Sequence, residues 1–220
     1  SLENKVALVI GGTGLLGSAL SLALSRNGAK VFAASRNSQI DKDLSKKFSD
    51  GGIERISIDA SEETSVISAT NKIISSHGAI NILVNCTSWR PMKKFMDDSI
   101  ENWNASLKIN SASIFLPCKI VGKHMTENGG GSIINISSIS SSGGMTSSPS
   151  YAIAKSGVVT MTVTAAAYLA EHGIRVNAIS PGIVDTHFHD EVKIKNPSVL
   201  ENQIKSIPLG RLAEPEDIAS

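Results

Sequence analysis

Cysteine, aromatic side chains and any surplus of one charge are scarce in this chain of 220 residues, and each scarcity closes off a class of function. Cys86 and Cys118 are the only cysteines. Their spacing fits neither a disulfide framework nor a metal site, so both are read as small core residues. Five scattered histidines give no ligand pair at helical spacing, and His187 and His189 stand too close to chelate from one helix face, so no catalytic metal is expected. Lys plus Arg (21) almost cancel Asp plus Glu (20), which leaves no field to hold nucleic acid or an anionic membrane. No apolar run approaches the roughly 20 residues of a membrane helix. The chain begins almost at once with a strand-like segment instead of a signal peptide, and a cytoplasmic location without membrane or nucleic-acid partners is expected.

What is present is ample apolar material: 41% of residues are hydrophobic and 19% charged, enough for one well-buried core over residues 1–220. Short β-branched runs alternate with stretches of helical period, the pattern of a parallel sheet covered on both faces. Six strands are expected: Lys5 to Ile10, Lys30 to Ala34, Ile53 to Ile58, Ile80 to Asn85, Ser132 to Ser137 and Ile174 to Ile179. The fold class that follows is α/β, a doubly wound parallel sheet in three α/β/α layers. Between the strands, Val66, Ile67, Thr70, Ile73 and Ile74 form one apolar helix face that Gly78 can end in a left-handed cap. Ile40, Leu44 and Phe48 make a thinner stripe. Val158, Met161, Thr162, Ala165 and Leu169 mark a long helix entered near Pro149 and closed by Gly173. Pro117 lies inside a helical stretch and is expected to kink it.

Gly11-Gly12-Thr13-Gly14-Leu15-Leu16-Gly17 follows the first strand and opens a helix. Its glycines permit a tight turn, and the helix N-terminus offers backbone N–H groups to a pyrophosphate. Gly11, Thr13, Gly14, Leu16 and Gly17 are therefore candidate dinucleotide contacts. At the end of the second strand, where NAD-preferring proteins of this architecture place an acid for the ribose 2′-hydroxyl, Ser35 and Arg36 stand instead. Arg36 suits a 2′-phosphate through paired hydrogen bonds, so NADP(H) is expected over NAD(H). A solvated arginine after a strand is the plain alternative. Asp59 ends the third strand and either accepts from an adenine amino group or caps the helix that begins near Ser61.

Tyr151 and Lys155 are four positions apart, on one face of the long helix. A phenol is a poor proton donor or acceptor near neutral pH until a cation stabilises its phenolate, and a neighbouring ammonium does so. Set in order with Asn85, Asn110, Ile134-Asn135-Ile136-Ser137-Ser138, Tyr151-Ala152-Ile153-Ala154-Lys155 and Arg175-Val176-Asn177-Ala178-Ile179-Ser180-Pro181-Gly182, the chain resembles the short-chain dehydrogenases/reductases, in their 3-oxoacyl-reductase-like branch. The segments Ile207-Pro208-Leu209-Gly210-Arg211 and Pro215-Glu216-Asp217-Ile218-Ala219 resemble that family's late signature.

The resemblance implies a Rossmann fold and a hydride transfer between NADP(H) and a carbonyl or alcohol. Ser138 would hold the substrate oxygen, and Tyr151 would give or take its proton. Lys155 would bind the nicotinamide ribose and lower the tyrosine pKa, while Asn110 would organise a water relay to the lysine. Asn85 would line the adenosine side and stabilise the sheet. Pro181, Gly182, Ile183 and Thr186 would touch the nicotinamide carboxamide. It further implies a homodimer or homotetramer built on the helices around Asn110 and Tyr151.

Some positions depart from the family pattern. Ile10 and Leu15 replace a Thr and a Gly, giving the spacing of an extended branch that includes epimerases and dehydratases. Asn85-Cys86-Thr87-Ser88 replaces Asn-Asn-Ala-Gly and loses a glycine's freedom. No basic residue stands inside the glycine loop, which leaves Arg36 to carry the NADP preference. The chain stops at Ser220, before the family's last strand and tail. A cofactor-retaining epimerase or dehydratase and a non-catalytic NADP-binding regulator are the alternatives these departures leave open. Three loops should wall the substrate: Ser88 to Asp98, Ile139 to Ser150, and a lid from Thr186 to Ile207. Trp89, Met92, Phe95, Met145 and Phe188 make them apolar. Arg90, Lys93 and Lys94 face either an anionic substrate or solvent, while His187, His189 and Asp190 are read as solvated.

Overall fold

The computed structural model of the chain describes residues 1–36, 39–143, 147–185 and 197–220. Six strands, β1 (Val6–Ile10), β2 (Lys30–Ser35), β3 (Glu54–Ser57), β4 (Ile82–Asn85), β5 (Gly131–Ile136) and β6 (Ile174–Ile179), pair in the order β3-β2-β1-β4-β5-β6. Every pairing is parallel. The period-2 geometry of β1 sends Val6, Leu8 and Ile10 to one face and Ala7 and Val9 to the other, and all five are buried. A strand apolar on both faces needs cover on both, and each face carries its own core.

The first core joins Leu8, Phe32, Leu83 and Ile133 to α3 (Glu63–His77), α5 (Ser113–Glu127) and α6 (Pro149–Leu169). The second joins Val9, Val31, Val84 and Ile136 to Leu20 of α1 (Leu15–Arg26) and Phe48 of α2 (Lys42–Asp50). The remaining α-helices among the described residues are α4 (Ile100–Leu107), α7 (Pro197–Lys205) and α8 (Pro215–Ala219). The direction of winding reverses between β1 and β4, which opens a crevice beyond their carboxyl ends, where this architecture binds ligands.

The expected strands form within one or two residues of their expected limits, and two other expectations are corrected. The helical irregularity is a π-turn over Lys108–Ala112, ahead of Pro117, which sits within α5. The wide turn sets Asn110 inward, fully buried. The segment Pro149–His172 does reach membrane-spanning length, with a mean hydropathy of 1.3. Its apolar residues serve the protein: one face packs on β6 and the sheet core, and Lys155 is buried within it. Gly173 closes it with φ 69°, after one 3₁₀ turn.

Candidate active site

The glycine loop is held by contacts that only glycine permits. Gly11 has φ +77°, and a Cβ there would lie 2.7 Å from the Cys86 carbonyl oxygen at the end of β4. Gly17 sits directly under the turn, where a Cβ would come within 2.0 Å of the Gly11 oxygen. The loop thereby lies against the crevice floor and hands over to α1 at Gly14, an N-cap with no side chain to cover the first-turn N–H groups. That bare helix start is the feature a pyrophosphate requires.

A cleft of about 230 Å³ occupies the crevice. It brings together Gly11, Thr13, Gly14, Ser35, Arg36 and Asp59, six of the residues expected to hold a dinucleotide. Three others stand behind it. Leu16 packs into the second core and Gly17 is buried under the loop. Asn85 is fully buried, and its amide donates to Asn135 Oδ1 at 2.9 Å and to Cys118 Sγ at 3.3 Å. Asn135 in turn donates to Thr162 Oγ1 at 3.0 Å. Asn85 therefore ties β4 through β5 to α6, the sheet-stabilising part of its expected role, and is absent from the cleft lining.

The expected cap is not formed: α3 begins at Glu63 with no side-chain cap bond, and the Asp59 carboxylate instead closes the turn before it. Its Oδ1 accepts the Ser61 hydroxyl at 2.7 Å and the Ser61 N–H at 3.0 Å. The hydroxyl bond, then that N–H and the charges of Arg36 and Lys108, hold its carboxyl below the usual range against the opposing effect of burial. It still faces the cleft, as its only lining carboxylate among the described residues. The segment Cys86-Thr87-Ser88 needs no left-handed residue, because Asn4 is the one non-glycine residue of positive φ among those described. Cys86 lines the cleft while packing against the second core, and burial pushes its thiol up to about 11. Cys118 does lie in the core, with its thiol pushed up to about 12 by burial. Among the described residues no three His, Cys, Asp or Glu side chains gather as a metal centre.

Tyr151 and Lys155 enter the interior from the first two turns of α6. Tyr151 is 8% exposed, and Lys155, at 1%, is the one charged side chain buried among the described residues. Its Nζ lies 5.9 Å from the Tyr151 ring centre and donates to Ile136 O (2.9 Å) and Thr87 O (3.0 Å), at the ends of β5 and β4. Loss of water lowers its pKa to about 8, since two neutral carbonyls replace hydration incompletely. Ser137, which sequence reasoning passed over, anchors the same turn by donating to the Lys155 carbonyl at 2.9 Å. The adjoining Ser138 hydroxyl donates to Ser140 Oγ and accepts the Ser140 N–H, both at 3.1 Å, so it caps a 3₁₀ turn.

Asn110 clamps the backbone of Trp89: its Oδ1 accepts the Trp89 N–H at 2.9 Å and its Nδ2 donates to the Trp89 carbonyl at 2.7 Å. Ser111, next on the π-turn, donates to the Ala154 carbonyl of α6 at 3.0 Å. The loop after β6 reaches the same region, where the Pro181 carbonyl accepts the Ile139 N–H at 3.1 Å. The Ile183 carbonyl accepts the Ala213 N–H, and a parallel bridge joins Val184 to Ala213, while Gly182 is exposed. Thr186 and the loop residues Met145, His187, Phe188, His189 and Asp190 lie outside the described residues.

The comparisons with known proteins agree with this fold. The family model described as Enoyl-(Acyl carrier protein) reductase matches residues 14–220. D-threitol dehydrogenase of Mycolicibacterium smegmatis is 33% identical over 222 residues, covering 100% of this chain and 84% of the relative. The 3-oxoacyl-(acyl-carrier-protein) reductase FabG of Thermotoga maritima is 30% identical over 99% of this chain and 88% of its own length. A crystal structure of NAD+-bound xylitol dehydrogenase superposes with a TM-score of 0.92 at 27% identity, covering 100% of this chain and 90% of that one. Strand order, glycine loop and matched length converge: the chain belongs to the short-chain dehydrogenase/reductase family.

Proposed function

We propose that this chain transfers a hydride between NADP(H) and a carbonyl or alcohol substrate, with Tyr151 as the proton donor or acceptor. The observation that carries the cofactor choice is the end of β2, where Ser35 and Arg36 line the cleft and no acid stands to meet a ribose 2′-hydroxyl. Thr13, Gly14 and the first turn of α1 would hold the pyrophosphate, and Arg36 the 2′-phosphate. When bound, the nicotinamide supplies or accepts the hydride.

The remaining work falls to the chain's own residues. Ser138 turns its hydroxyl from Ser140 toward the substrate oxygen. Tyr151 moves the proton at that oxygen. Lys155, fixed by two strand-end carbonyls, sets a positive charge beside the phenol and would hold the nicotinamide ribose. Asn110 holds the Trp89 backbone and, through it, the near wall of the substrate loop, and supports a water relay to Lys155. Pro181, Gly182 and Ile183 would border the carboxamide. Relatives named as dehydrogenases of threitol, of a 7alpha-hydroxysteroid and of rhamnose, beside a 3-oxoacyl reductase, support an alcohol or carbonyl substrate over epimerisation or dehydration.

The test is a fluorescence titration of NADPH and NADH, followed by loss of reduced-nicotinamide absorbance across ketones, β-keto esters, sugars, quinones and steroids. NADPH should bind more tightly and be oxidised by one class; binding without oxidation by any of them would favour the regulator. Arg36→Ala is expected to weaken NADPH about thirtyfold, equivalent to about 2 kcal/mol for a lost charged hydrogen bond, and NADH less than threefold. Equal weakening of both would remove Arg36 from the 2′-phosphate site.

A homodimer or homotetramer is part of this proposal. Phe115 of α5 and Val163 and Tyr168 of α6 are 50%, 65% and 71% exposed, beside a groove of about 1070 Å³. A second copy of the same helices supplies a matching apolar face. Light scattering should give at least a dimer mass, and Tyr168→Asp should lower it; a monomeric wild type would overturn the assignment.

A further inference from the structure

The catalytic helix is capped by a residue from outside itself. Ser148 stands at its N-cap but makes no capping bond. Fully buried, its hydroxyl donates to the Pro91 carbonyl at 2.5 Å and accepts Arg90 Nε at 3.3 Å. Pro149 follows at the first helical position and has no N–H. The first donor the helix must satisfy is therefore Ser150 N–H, immediately before Tyr151. That donor goes to Asp98 Oδ2 at 3.2 Å, across 52 positions of sequence. The neighbour of Asp98, Ser99, caps its own helix, α4, by accepting the Asn102 N–H at 3.2 Å. Two adjacent residues thus cap two different helices.

Asp98 sits there at a cost. Its Oδ1 and the Ser150 hydroxyl are both shielded from solvent without a hydrogen-bond partner among the described residues. A carboxylate with one oxygen so placed is a poor choice for stability alone. It does suit a fixed orientation, since a negative group completes the positive end of a 21-residue helix.

We infer that Asp98 is a positioning residue: it fixes the first turn of α6, and so the direction in which Tyr151 presents its phenol, from the loop that walls the substrate. This rests on the assignment of Tyr151 as the proton-transferring group. Ser148 and Asp98 together stitch the loop over residues 90–98 to the helix start, so substrate wall and phenol move as one unit. Asp98→Ala removes the acceptor; Asp98→Asn keeps a carbonyl oxygen for Ser150 N–H.

The experiment is a double-mutant cycle read in kcat, KM and NADPH affinity. Asp98→Ala should lower kcat about tenfold with NADPH affinity within twofold of wild type, because displacement of a catalytic group acts on turnover. Asp98→Asn should restore kcat to within about twofold. In a Tyr151→Phe background, Asp98→Ala should have no further effect, since it acts only through the phenol. An equal loss in both backgrounds, a parallel fall in NADPH affinity, or failure of Asn to rescue would overturn the inference. If Tyr151→Phe retained full turnover the proposed chemistry would fall first; a damaging Tyr151→Phe beside a harmless Asp98→Ala would sink the positioning role alone.

Discussion

Tyr151→Phe should lower turnover by at least a hundredfold while leaving NADPH affinity within about twofold of wild type. Positioned proton transfer contributes typically about 10² to 10⁴ in rate, and the phenolic oxygen is the atom proposed to make it. The substitution deletes one oxygen from a side chain that is 8% exposed and packed among buried neighbours, so the ring keeps its place. The cofactor cleft is lined by residues of the glycine loop, of the ends of β2, β3 and β4, and by Ile109 and Ser113, none of them on α6, so the proposed adenosine half of the site is untouched. Initial rates at saturating cofactor and substrate, beside a fluorescence titration of NADPH, separate the two effects. Full turnover in this variant would remove the phenol from the chemistry, and joint loss of turnover and binding would move its role to the cofactor.

The fold was legible because its signals are local. The strands are short apolar runs that a parallel sheet must cover twice, and the loop from Gly11 to Gly17 lies between a strand and a helix, where its glycines have one reading. The spacing of Tyr151 and Lys155 likewise declares a shared helix face. What stayed hidden depends on contacts across the sequence. Asn85 reads as a cleft residue until its amide is seen on Asn135, 50 positions away. Asp59 reads as a helix cap or an adenine contact until Ser61 takes its oxygen in the turn before α3. Pro117 announces a kink by the known chemistry of proline, yet the hydrogen-bond shift falls at Lys108–Ala112, where clamping of Trp89 by Asn110 favours a wide turn. Asp98 gave no signal, because a cap supplied from a distant loop leaves no pattern in the capped helix.

The same limit explains why the departures at residues 86–88 proved mild. A glycine in a family signature suggests a conformation closed to other residues. Here the strand end turns without positive φ, and the restricted partner is the opposing loop, where Gly11 accommodates the Cys86 carbonyl. Thr87 instead adds a hydroxyl, hydrogen-bonded to Ser113 Oγ at 2.9 Å, while its own carbonyl receives Lys155. The strand end thus joins cofactor cleft to catalytic helix through a polar residue whose side chain faces α5 and whose backbone faces α6.

Lys155→Met should abolish most turnover and also change how stability depends on pH. The folded-state pKa of Lys155 is about 8 against a reference of 10.5, lowered by burial. A depressed lysine pKa means that folding disfavours the charged form, so the penalty is fully present below about pH 8, where folded and unfolded chains both hold the proton. Between about 8 and 10.5 the folded chain has released it while the unfolded chain retains it, and stability rises with pH. The shift corresponds to about 3 kcal/mol, an order-of-magnitude figure. Methionine cannot titrate, so the stability of wild type relative to Lys155→Met should move in favour of wild type by that amount between pH 7 and pH 10.5. Broad alkaline destabilisation affects both proteins and cancels in the difference. The sign at pH 7 is set by two opposing effects: methionine relieves the buried charge but leaves the carbonyls of Ile136 and Thr87 without their donor. The slope escapes that ambiguity, because both carbonyls are lost to the variant at every pH. Denaturant unfolding of the two proteins at several pH values measures it, and parallel curves from pH 7 to 10.5 would mean that Lys155 is not titrating near 8 in the folded chain.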